Sequence, residues 1–199
     1  MMTEIRKYRK EDETGWLHCR VLSFLDTAYY DSVLREKEVY SNPSIELVAC
    51  EDGKITGLID VEYEIRERTV CSKGTGLGGM IWHLAVHPDY RRKGIASLLL
   101  SESESEAKKI GLNRFEAWTR DDDWVNRWYL SKGFKLTDSY LHVYAEGKDE
   151  IKISFSSETE KLNLVYAFAH YTGKDRESIR TKFRRVHECF CYEKFFNRN

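Results

Sequence analysis

The chain has 199 residues, 41% of them hydrophobic and 33% charged, which predicts one folded domain with a modest core rather than a disordered chain. Its net charge of −1 provides no overall field that would draw it to nucleic acid or to an anionic membrane. The N-terminus lacks the apolar core of a signal peptide, and no apolar run approaches the ~18 residues of a membrane span. With five cysteines in no disulfide spacing, we expect a soluble cytoplasmic protein with reduced thiols and no membrane or nucleic-acid partner.

Strands and helices alternate along the first part of the chain. Asp52-Gly53 lies between two apolar runs and predicts a tight hairpin turn. From Asp60 to Ile65, acidic and apolar residues alternate, which predicts a strand with one acidic and one buried face. In chain order the patterns predict a strand at 3–8, a helix at about 12–25, a second helix near 30–40 and the two strands of the hairpin within 45–65.

The glycine-rich run at 74–79 formally matches the G-x-G-x-x-G pattern of dinucleotide-binding turns. That fingerprint must open a helix, whereas 80–86 has the pattern of a strand, so we interpret the run as a loop. Beyond it, the patterns predict a helix at about 94–109, a strand at 114–119, a helix at 123–132 and a strand at 134–144. This order of elements predicts a mixed α/β or α+β fold.

The last quarter of the chain differs in character. Ser157 and Glu160 form a capping box that predicts a helix, and apolar residues at helical spacing between 179 and 190 predict another. We therefore interpret 148–199 as a helical extension of a domain at 1–147. Because the extension is too small to bury a core of its own, we expect it to pack on the domain or in a homodimer contact.

The segment "VHPDYRRKGIA" joins the strand at 80–86 to the helix at 94–109. A helix N-terminus presents unpaired backbone N–H groups and the positive end of the helix dipole. Gly94 and Ala96 allow the backbone to approach an anion closely, and the basic run 91–93 adds positive charge. The pattern indicates a phosphate-binding turn, and an ordinary strand-to-helix turn with solvated basic residues is the alternative.

The same segment resembles the acyl-CoA binding motif of the GNAT superfamily of N-acetyltransferases, which is Gln or Arg, two residues, Gly, one residue, then Gly or Ala. Arg91, Gly94 and Ala96 occupy the defined positions. Downstream, "WYLSKGF" at 128–134 resembles the signature on the family's following helix, and two motifs in the correct order are more specific than one. The order of elements to about Gly147 also resembles that of the family. The resemblance implies a central mixed, mostly antiparallel sheet flanked by helices, and an acetyl-CoA-dependent N-acetyltransferase.

The resemblance also implies roles for individual residues. The pantetheine arm of acetyl-CoA would lie between the strand that ends at Val86 and the strand at 114–119, and the Tyr129 phenol would protonate the departing thiolate. Asp122 stands where the family often has an Asn that contacts the coenzyme, which is a departure from the family's pattern. The residues implied to bind the coenzyme are Leu84, Ala85, Val86, Arg91, Arg92, Lys93, Gly94, Ile95, Ala96, Ser97 and Asp122, and no metal ligand is implied.

The sequence does not identify a general base. On the predicted active-site strand, alternation places Met80 and Trp82 where the family often has a Glu or His, and neither of them is a base. His83 points to the opposite face unless a β-bulge redirects it, and Glu116 is a candidate to accept a proton through water. For Tyr129, a packing role in the core is the alternative to catalysis.

Other residues bear on partners. His187, Cys189 and Cys191 invite a metal interpretation, but on a helix the middle residue leaves the face of the other two, so we expect core and surface roles. Glu62, Glu64 and the acidic run at 121–123, near the acceptor mouth that the resemblance implies, predict a cationic small-molecule or peptide amine as acceptor. A non-catalytic acyl-CoA-binding module with the same fold is the alternative function.

Overall fold

The computed structural model of the protein describes residues 3–196, so expectations for 1–2 and 197–199 lie outside the described residues. Within that range, no helix combines the length and the apolar character needed to cross a bilayer. The strands are β1 (Glu4–Lys7), β2 (Ser44–Glu51), β3 (Lys54–Tyr63), β4 (Gly78–Val86), β5 (Arg114–Thr119), β6 (Lys135–Glu146), β7 (Tyr166–Tyr171) and β8 (Arg185–Phe195), and the helices are α1 (Glu13–Phe24), α2 (Ile95–Lys109), α3 (Asp123–Ser131), α4 (Gly147–Ser154) and α5 (Arg176–Lys182).

Within residues 3–196, the strands form one eight-stranded sheet in the order β1-β2-β3-β4-β5-β8-β6-β7. β4 and β5 run parallel, and the other neighbouring pairs are antiparallel. Helices flank the sheet, and α1 and α2 both contact β3 and β4. These observations confirm the predicted mixed, mostly antiparallel sheet flanked by helices.

Two apolar clusters lie on opposite faces of the sheet. Side chains alternate between the faces along β3, so Leu58 packs with Trp16 of α1, whereas Ile59 packs with Leu99 of α2 and Phe115 of β5. All five side chains are fully buried. Because α1 covers one face of β3 and β4 and α2 covers the other, packing on both sides fixes the position of β4.

β4 and β5 separate at their carboxyl ends. Their pairing runs from Gly78 opposite Arg114 to Ile81 opposite Ala117, and within the described chain it goes no further. The backbone edge of 82–86 is therefore free on the side that faces β5. This gap between two parallel strands determines where the site lies.

A β-bulge in β4 redirects side chains at the start of this free edge. Asp60 of β3 lies opposite His83, and the next residue of β3 lies opposite Ile81, so Trp82 is the extra residue of the bulge. His83 consequently faces α1 and packs edge-on against Trp16, with ring centroids 5.3 Å apart. The bulge that would redirect His83 is thus present.

The helix predicted near 30–40 is wrong, because these residues form turns and irregular chain. Lys37 shows why. Its ammonium is buried between the carboxylates of Glu46 (2.8 Å) and Asp60 (2.9 Å), and its backbone amide donates to Glu13 (3.1 Å). These contacts with β2, β3 and α1 outweigh the local pattern.

The helical extension predicted at 148–199 is wrong in its main part. α4 and α5 are short helices, but irregular chain and β7 replace the helix predicted from Ser157, and β8 replaces most of the helix predicted between 179 and 190. β8 pairs antiparallel with β5 on one side and with β6 on the other. Two open strand edges satisfy the backbone of 185–195 from both sides, which outweighs its helical spacing.

The apolar residues behind the homodimer prediction mostly pack inside the chain. Phe183 is buried with Leu141 of β6, and Phe190 and Phe196 pack against the main core. Phe195, by contrast, is 53% exposed. Intrachain packing therefore accounts for most of this apolar surface, and the homodimer stays a prediction.

Candidate active site

A cavity of about 710 Å³ lies in the gap between β4 and β5. One end, called the turn end here, is bounded by the turn at 90–97 and by α3. The other end is bounded by β5, β6 and residues of the segment 25–34, which we call the strap. The cavity therefore connects the N-terminus of α2 with the face of the sheet on which α1 lies.

The turn end presents a run of free backbone amides. Arg92 and Gly94 have positive φ angles of 65° and 82°, and turns of this kind make a concave nest of N–H groups that binds anions. The amides of Ser97 and Leu98 donate to the carbonyl of Gly94, at 2.9 and 3.1 Å. Within the described residues, no protein acceptor takes a bond from the amides of 92–96, which leaves them available to a ligand.

Gly94 is required by the backbone rather than by crowding. A Cβ added to it would meet nothing within 4 Å, but its φ of 82° is one that other residues adopt only with strain. The space in front of the turn is therefore open, and a side chain placed there would occupy the approach to the free amides.

The Arg91 guanidinium supports the turn. It donates to the carbonyl of Ser23 at the end of α1 (2.8 Å) and to that of Val86 (3.4 Å), and it lies over the ring of Trp124. Arg91 thereby links α1, β4 and α3 around the turn end.

Most residues predicted to bind the coenzyme lie on the wall of this cavity, as does Tyr129. Lys93 is the exception: its exposed side chain does not line the cavity, although its ammonium lies over the ring of Tyr90, which does. The predicted residues on the wall are Leu84, Ala85, Val86, Arg91, Arg92, Gly94, Ile95, Ala96, Ser97 and Asp122.

Tyr129 belongs both to the core and to the cavity wall. Its ring stacks on Tyr192 at 5.5 Å between centroids and makes edge contacts with Trp128 and Phe134. Burial raises the pKa of its phenol, so the hydroxyl stays protonated at neutral pH. The two interpretations of Tyr129 are therefore compatible: packing fixes the ring, and the phenol keeps a proton to give.

His83 and Glu38 form a hydrogen-bonded pair on the wall of the cavity. Arg20 donates to His83 Nδ1 at 3.4 Å, so the ring proton is on Nε2 and is donated to Glu38. The hydrogen bond from His83 lowers the pKa of the Glu38 carboxyl, whose side chain is 45% exposed. Glu38 is therefore an ionised carboxylate that both the cavity and solvent can reach.

Sequence reasoning identified His83 as a conditional candidate but missed Glu38. His83 could reach the site only if a β-bulge redirected its side chain, and the alternation of residue types along a strand does not show where a bulge lies. Glu38 lies in a stretch predicted as helix, about 45 residues from His83 in the chain, and no local motif marks it.

Glu116 does not line the cavity. Its carboxylate is fully buried and accepts hydrogen bonds from Ser72, from the backbone of Lys73 and from Trp118, at 2.6 to 3.1 Å. Although burial works to raise the pKa of Glu116, these hydrogen bonds lower it below the ordinary value. Glu116 anchors the loop before β4 and is not placed to accept a proton from a substrate.

Most of the acidic residues that predicted a cationic acceptor are bound to the chain itself. Asp121 accepts from His187 (2.9 Å) and from the backbone of Glu188 (3.1 Å). Asp122 lies on the cavity wall, but both of its oxygens accept from the amide of Ala28 at 3.1 Å. Glu62 of β3 accepts hydrogen bonds from Asn42 and Trp82, and Glu64, which follows β3, is fully buried.

The argument made against a metal at His187, Cys189 and Cys191 assumed a helix and is wrong. These residues lie on β8, where alternate side chains share one face. His187 hydrogen-bonds Asp121, and Cys189 lies on the cavity wall. Burial raises the pKa of the Cys189 thiol to about 11, so it is protonated at neutral pH.

Comparison with known proteins agrees with this geometry. The family model described as "Acetyltransferase (GNAT) domain" matches residues 42–136. An acetyltransferase from Sodalis glossinidius (strain morsitans) is 30% identical over 143 residues, which are 69% of this chain and 91% of that protein. An acetyltransferase from Pectobacterium atrosepticum is 29% identical over 124 residues, which are 60% of this chain and 78% of that protein.

Two solved structures show the same fold. A PaiA N-acetyltransferase from Thermoplasma acidophilum, in complex with coenzyme A, aligns with a TM-score of 0.58 and 17% identity over 98% of this chain and 100% of that one. The ribosomal-protein-S18-alanine N-acetyltransferase from Escherichia coli aligns with a TM-score of 0.62 and 12% identity, over 100% and 96%. The chain therefore belongs to the GNAT superfamily of acetyltransferases. It is accordingly an acyltransferase.

Proposed function

We propose that the protein transfers an acetyl group from acetyl-CoA directly to a primary amine held in the same cavity. The observation that carries the proposal is that one cavity joins the free amides of 92–96, the free edge of β4 and the protonated phenol of Tyr129. The free amides suit a pyrophosphate, and the free strand edge suits an extended arm with amide groups. The phenol suits a thiolate leaving group, to which it can give a proton.

The donor is bound mainly by backbone groups. The pyrophosphate accepts hydrogen bonds from the amides of 92–96, at the positive end of the α2 dipole. The pantetheine arm lies along 82–86 and takes the place of a strand between β4 and β5. Two GNAT proteins of similar fold have been solved with coenzyme A and with acetyl-CoA, which supports the choice of donor.

The reaction requires two proton transfers. Glu38, as a carboxylate, accepts a proton from the ammonium form of the acceptor, and the free amine then attacks the thioester carbonyl while backbone N–H groups of β4 stabilise the oxyanion. The C–S bond breaks as the C–N bond is completed. Tyr129 gives its proton to the thiolate, and the proton lost by the new amide restores the phenol through solvent.

The state of Cys189 supports direct transfer. An acetyl-cysteine intermediate needs a thiolate nucleophile, but with its pKa raised to about 11 the Cys189 thiol holds its proton at neutral pH. All five cysteines are buried and free, which supports a reducing compartment, and we place the protein in the cytoplasm.

The turn end gives the sharpest test of donor binding. Gly94→Glu puts a carboxylate in front of the free amides, so we expect thermal stabilisation by acetyl-CoA to be lost. Gly111→Glu is the matched control, because Gly111 also has open space around it and a φ of 84°, close to the 82° of Gly94, but does not line the cavity. Both variants carry the same backbone strain, so they should unfold at similar temperatures without ligand.

Thermal unfolding with and without acetyl-CoA measures this difference, and release of free thiol from acetyl-CoA in the presence of amines measures transfer. The proposal is wrong if Gly94→Glu and Gly111→Glu are stabilised equally by acetyl-CoA, or if wild-type protein releases no thiol with any amine.

A further inference from the structure

An aromatic wall lines the strap end of the cavity. Trp118, Tyr140 and His142 belong to it, with ring centroids 5.1 Å apart for the first pair and 5.2 Å for the second. Burial, together with the neighbouring Arg120, lowers the pKa of the His142 imidazole to about 3. All three rings are therefore uncharged at neutral pH and present π faces or edges to a ligand.

The strap borders this end of the cavity and is attached to the rest of the chain at several points. Its Ala28 amide donates to Asp122, and the Ala28 carbonyl accepts from Arg120. Further along, Arg20 donates to the carbonyl of Ser32 at 2.7 Å. The last attachment is an ion pair at 2.7 Å between Asp31 of the strap and Arg185 of β8. The strap thus bridges from α1 across to β8, and a ligand at this end must fit beneath it.

Within the described residues, the lining of the whole cavity offers one carboxylate that a cationic acceptor can reach. Of the two acidic residues on the cavity wall, Asp122 accepts from the amide of Ala28 with both oxygens, whereas Glu38 accepts from His83 and its side chain is 45% exposed. One carboxylate matches one ammonium group, and the further ammonium groups of a polyamine would find no second available carboxylate on this wall. The cavity therefore favours a singly charged acceptor over a polycationic one.

We infer that the acceptor is a small primary amine with a single positive charge and a planar aromatic group, which stacks on the wall of Trp118, Tyr140 and His142. This inference rests on the proposed function, because it names the acceptor for the same cavity. An alanine of a protein, on which the E. coli ribosomal-protein-S18-alanine N-acetyltransferase acts, is the competing acceptor, and the peptide in the test below represents it.

The test compares four acceptors: 2-phenylethylamine, n-hexylamine, spermidine and a pentapeptide with N-terminal alanine. We expect kcat/KM for 2-phenylethylamine to exceed that for n-hexylamine by about tenfold, the effect of one or two favourable aromatic contacts. Spermidine and the peptide should be poorer still. A titration of 2-phenylethylamine against the protein with coenzyme A bound measures binding apart from turnover.

Two variants remove the wall one ring at a time, Trp118→Leu and Tyr140→Leu. Each should raise KM for 2-phenylethylamine more than KM for n-hexylamine and so reduce the preference. If Trp118→Leu does not fold because it loses the hydrogen bond from Trp118 to Glu116, Tyr140→Leu tests the inference by itself. Phe195→Leu is the matched control, because Phe195 is an exposed aromatic residue of the same sheet that does not line the cavity. This variant should prefer 2-phenylethylamine over n-hexylamine to the same extent as wild type.

The outcomes separate this inference from the proposed function. If acetyl-CoA stabilises the protein but n-hexylamine, spermidine or the peptide is acetylated as well as 2-phenylethylamine, the acceptor inference is overturned and acetyl transfer stands. It is overturned equally if neither wall variant changes the preference, or if acetyl-CoA binds and no aromatic amine reacts. If acetyl-CoA neither binds nor releases thiol, the proposed function fails first.

Discussion

The two ends of the cavity are built by different means. The turn end consists of backbone amides from one short segment, 92–96, whereas the strap end consists of side chains from β4, β5, β6, β8 and the strap. In the proposed function, the backbone groups bind what acyl-CoA molecules have in common, namely a pyrophosphate and an extended arm, and the side chains from distant segments bind the acceptor. The difference teaches that the proposed donor site can be read from one short segment of sequence, whereas the proposed acceptor site requires the fold.

The largest expected effect comes from removing the C-terminal segment, on which the strap end depends. Truncation after Gly147 deletes β8 from between β5 and β6, together with the buried Tyr192 and the pair between Glu193 and Arg114 (3.1 Å). We expect the truncated chain to lose cooperative thermal unfolding, as followed by circular dichroism.

Val165→Ser is the control for this experiment, because Val165 lies in the same segment but is 76% exposed. Its free energy of unfolding should stay within about 0.5 kcal/mol of wild type. A truncated chain that unfolds cooperatively near the wild-type temperature would show that the two ends of the cavity are separable, against the central position of β8.

Tyr129 belongs to α3 at the turn end and tests whether the cavity works as one site. Tyr129→Phe keeps the ring stacked on Tyr192 but removes the proton donor, so kcat should fall on the order of 10²-fold while acetyl-CoA affinity changes little. Because burial raises the pKa of Tyr129, loss of its proton should not limit wild-type activity below pH 10. Steady-state kinetics and a separate titration of acetyl-CoA measure the two quantities.

Tyr192→Phe provides the comparison for that variant. Tyr192 stacks on the same ring, and its hydroxyl donates to Asn126 at 2.9 Å outside the cavity wall. We expect its kcat to remain within about twofold of wild type, since a single hydrogen bond remote from the reacting atoms is lost. Equal losses in the two variants would assign Tyr129 to packing alone.

A smaller effect is expected at the strap end from Glu38→Gln, which removes the proton acceptor and keeps the shape of the side chain. At pH 7 we expect kcat/KM to fall about tenfold, at the low end for acid–base groups because solvent water can substitute at an exposed site. Raising the pH should shrink the deficit, since more of the amine is then already neutral. The lowered pKa of Glu38 predicts that wild-type activity falls only at acidic pH, where the carboxylate is protonated.

Glu36→Gln is the matched control, because Glu36 is an exposed neighbour of Glu38 that does not line the cavity. The pH dependence of kcat/KM for both variants, measured with one amine, distinguishes them. If Glu38→Gln loses the same fraction of activity at every pH, Glu38 orients the acceptor and does not take its proton.

The local part of the site could be predicted because it depends on neighbours in the chain. Gly94 supplies a backbone conformation that other residues avoid, and the helix that begins at Ile95 leaves its first amides free wherever it lies. The strand before the turn and the helix that carries Tyr129 also follow from periodicity within short windows. Short-range patterns therefore predicted the order of elements and the turn, and the motifs at 91–96 and 128–134 carried the resemblance that implied the sheet and the superfamily.

Tertiary structure alone decided the rest. Residues 185–195 form a strand because β5 and β6 present two open edges, although their apolar spacing fits a helix. Glu38 meets His83 only because a bulge redirects the ring and Lys37 holds the preceding chain against β2 and β3. Most of the acidic residues that predicted a cationic acceptor from the sequence are hydrogen-bonded to amides and side chains in the fold, as Asp122 is to Ala28. Which charges remain free is a property of long-range contacts, and the inference about the acceptor depends on it.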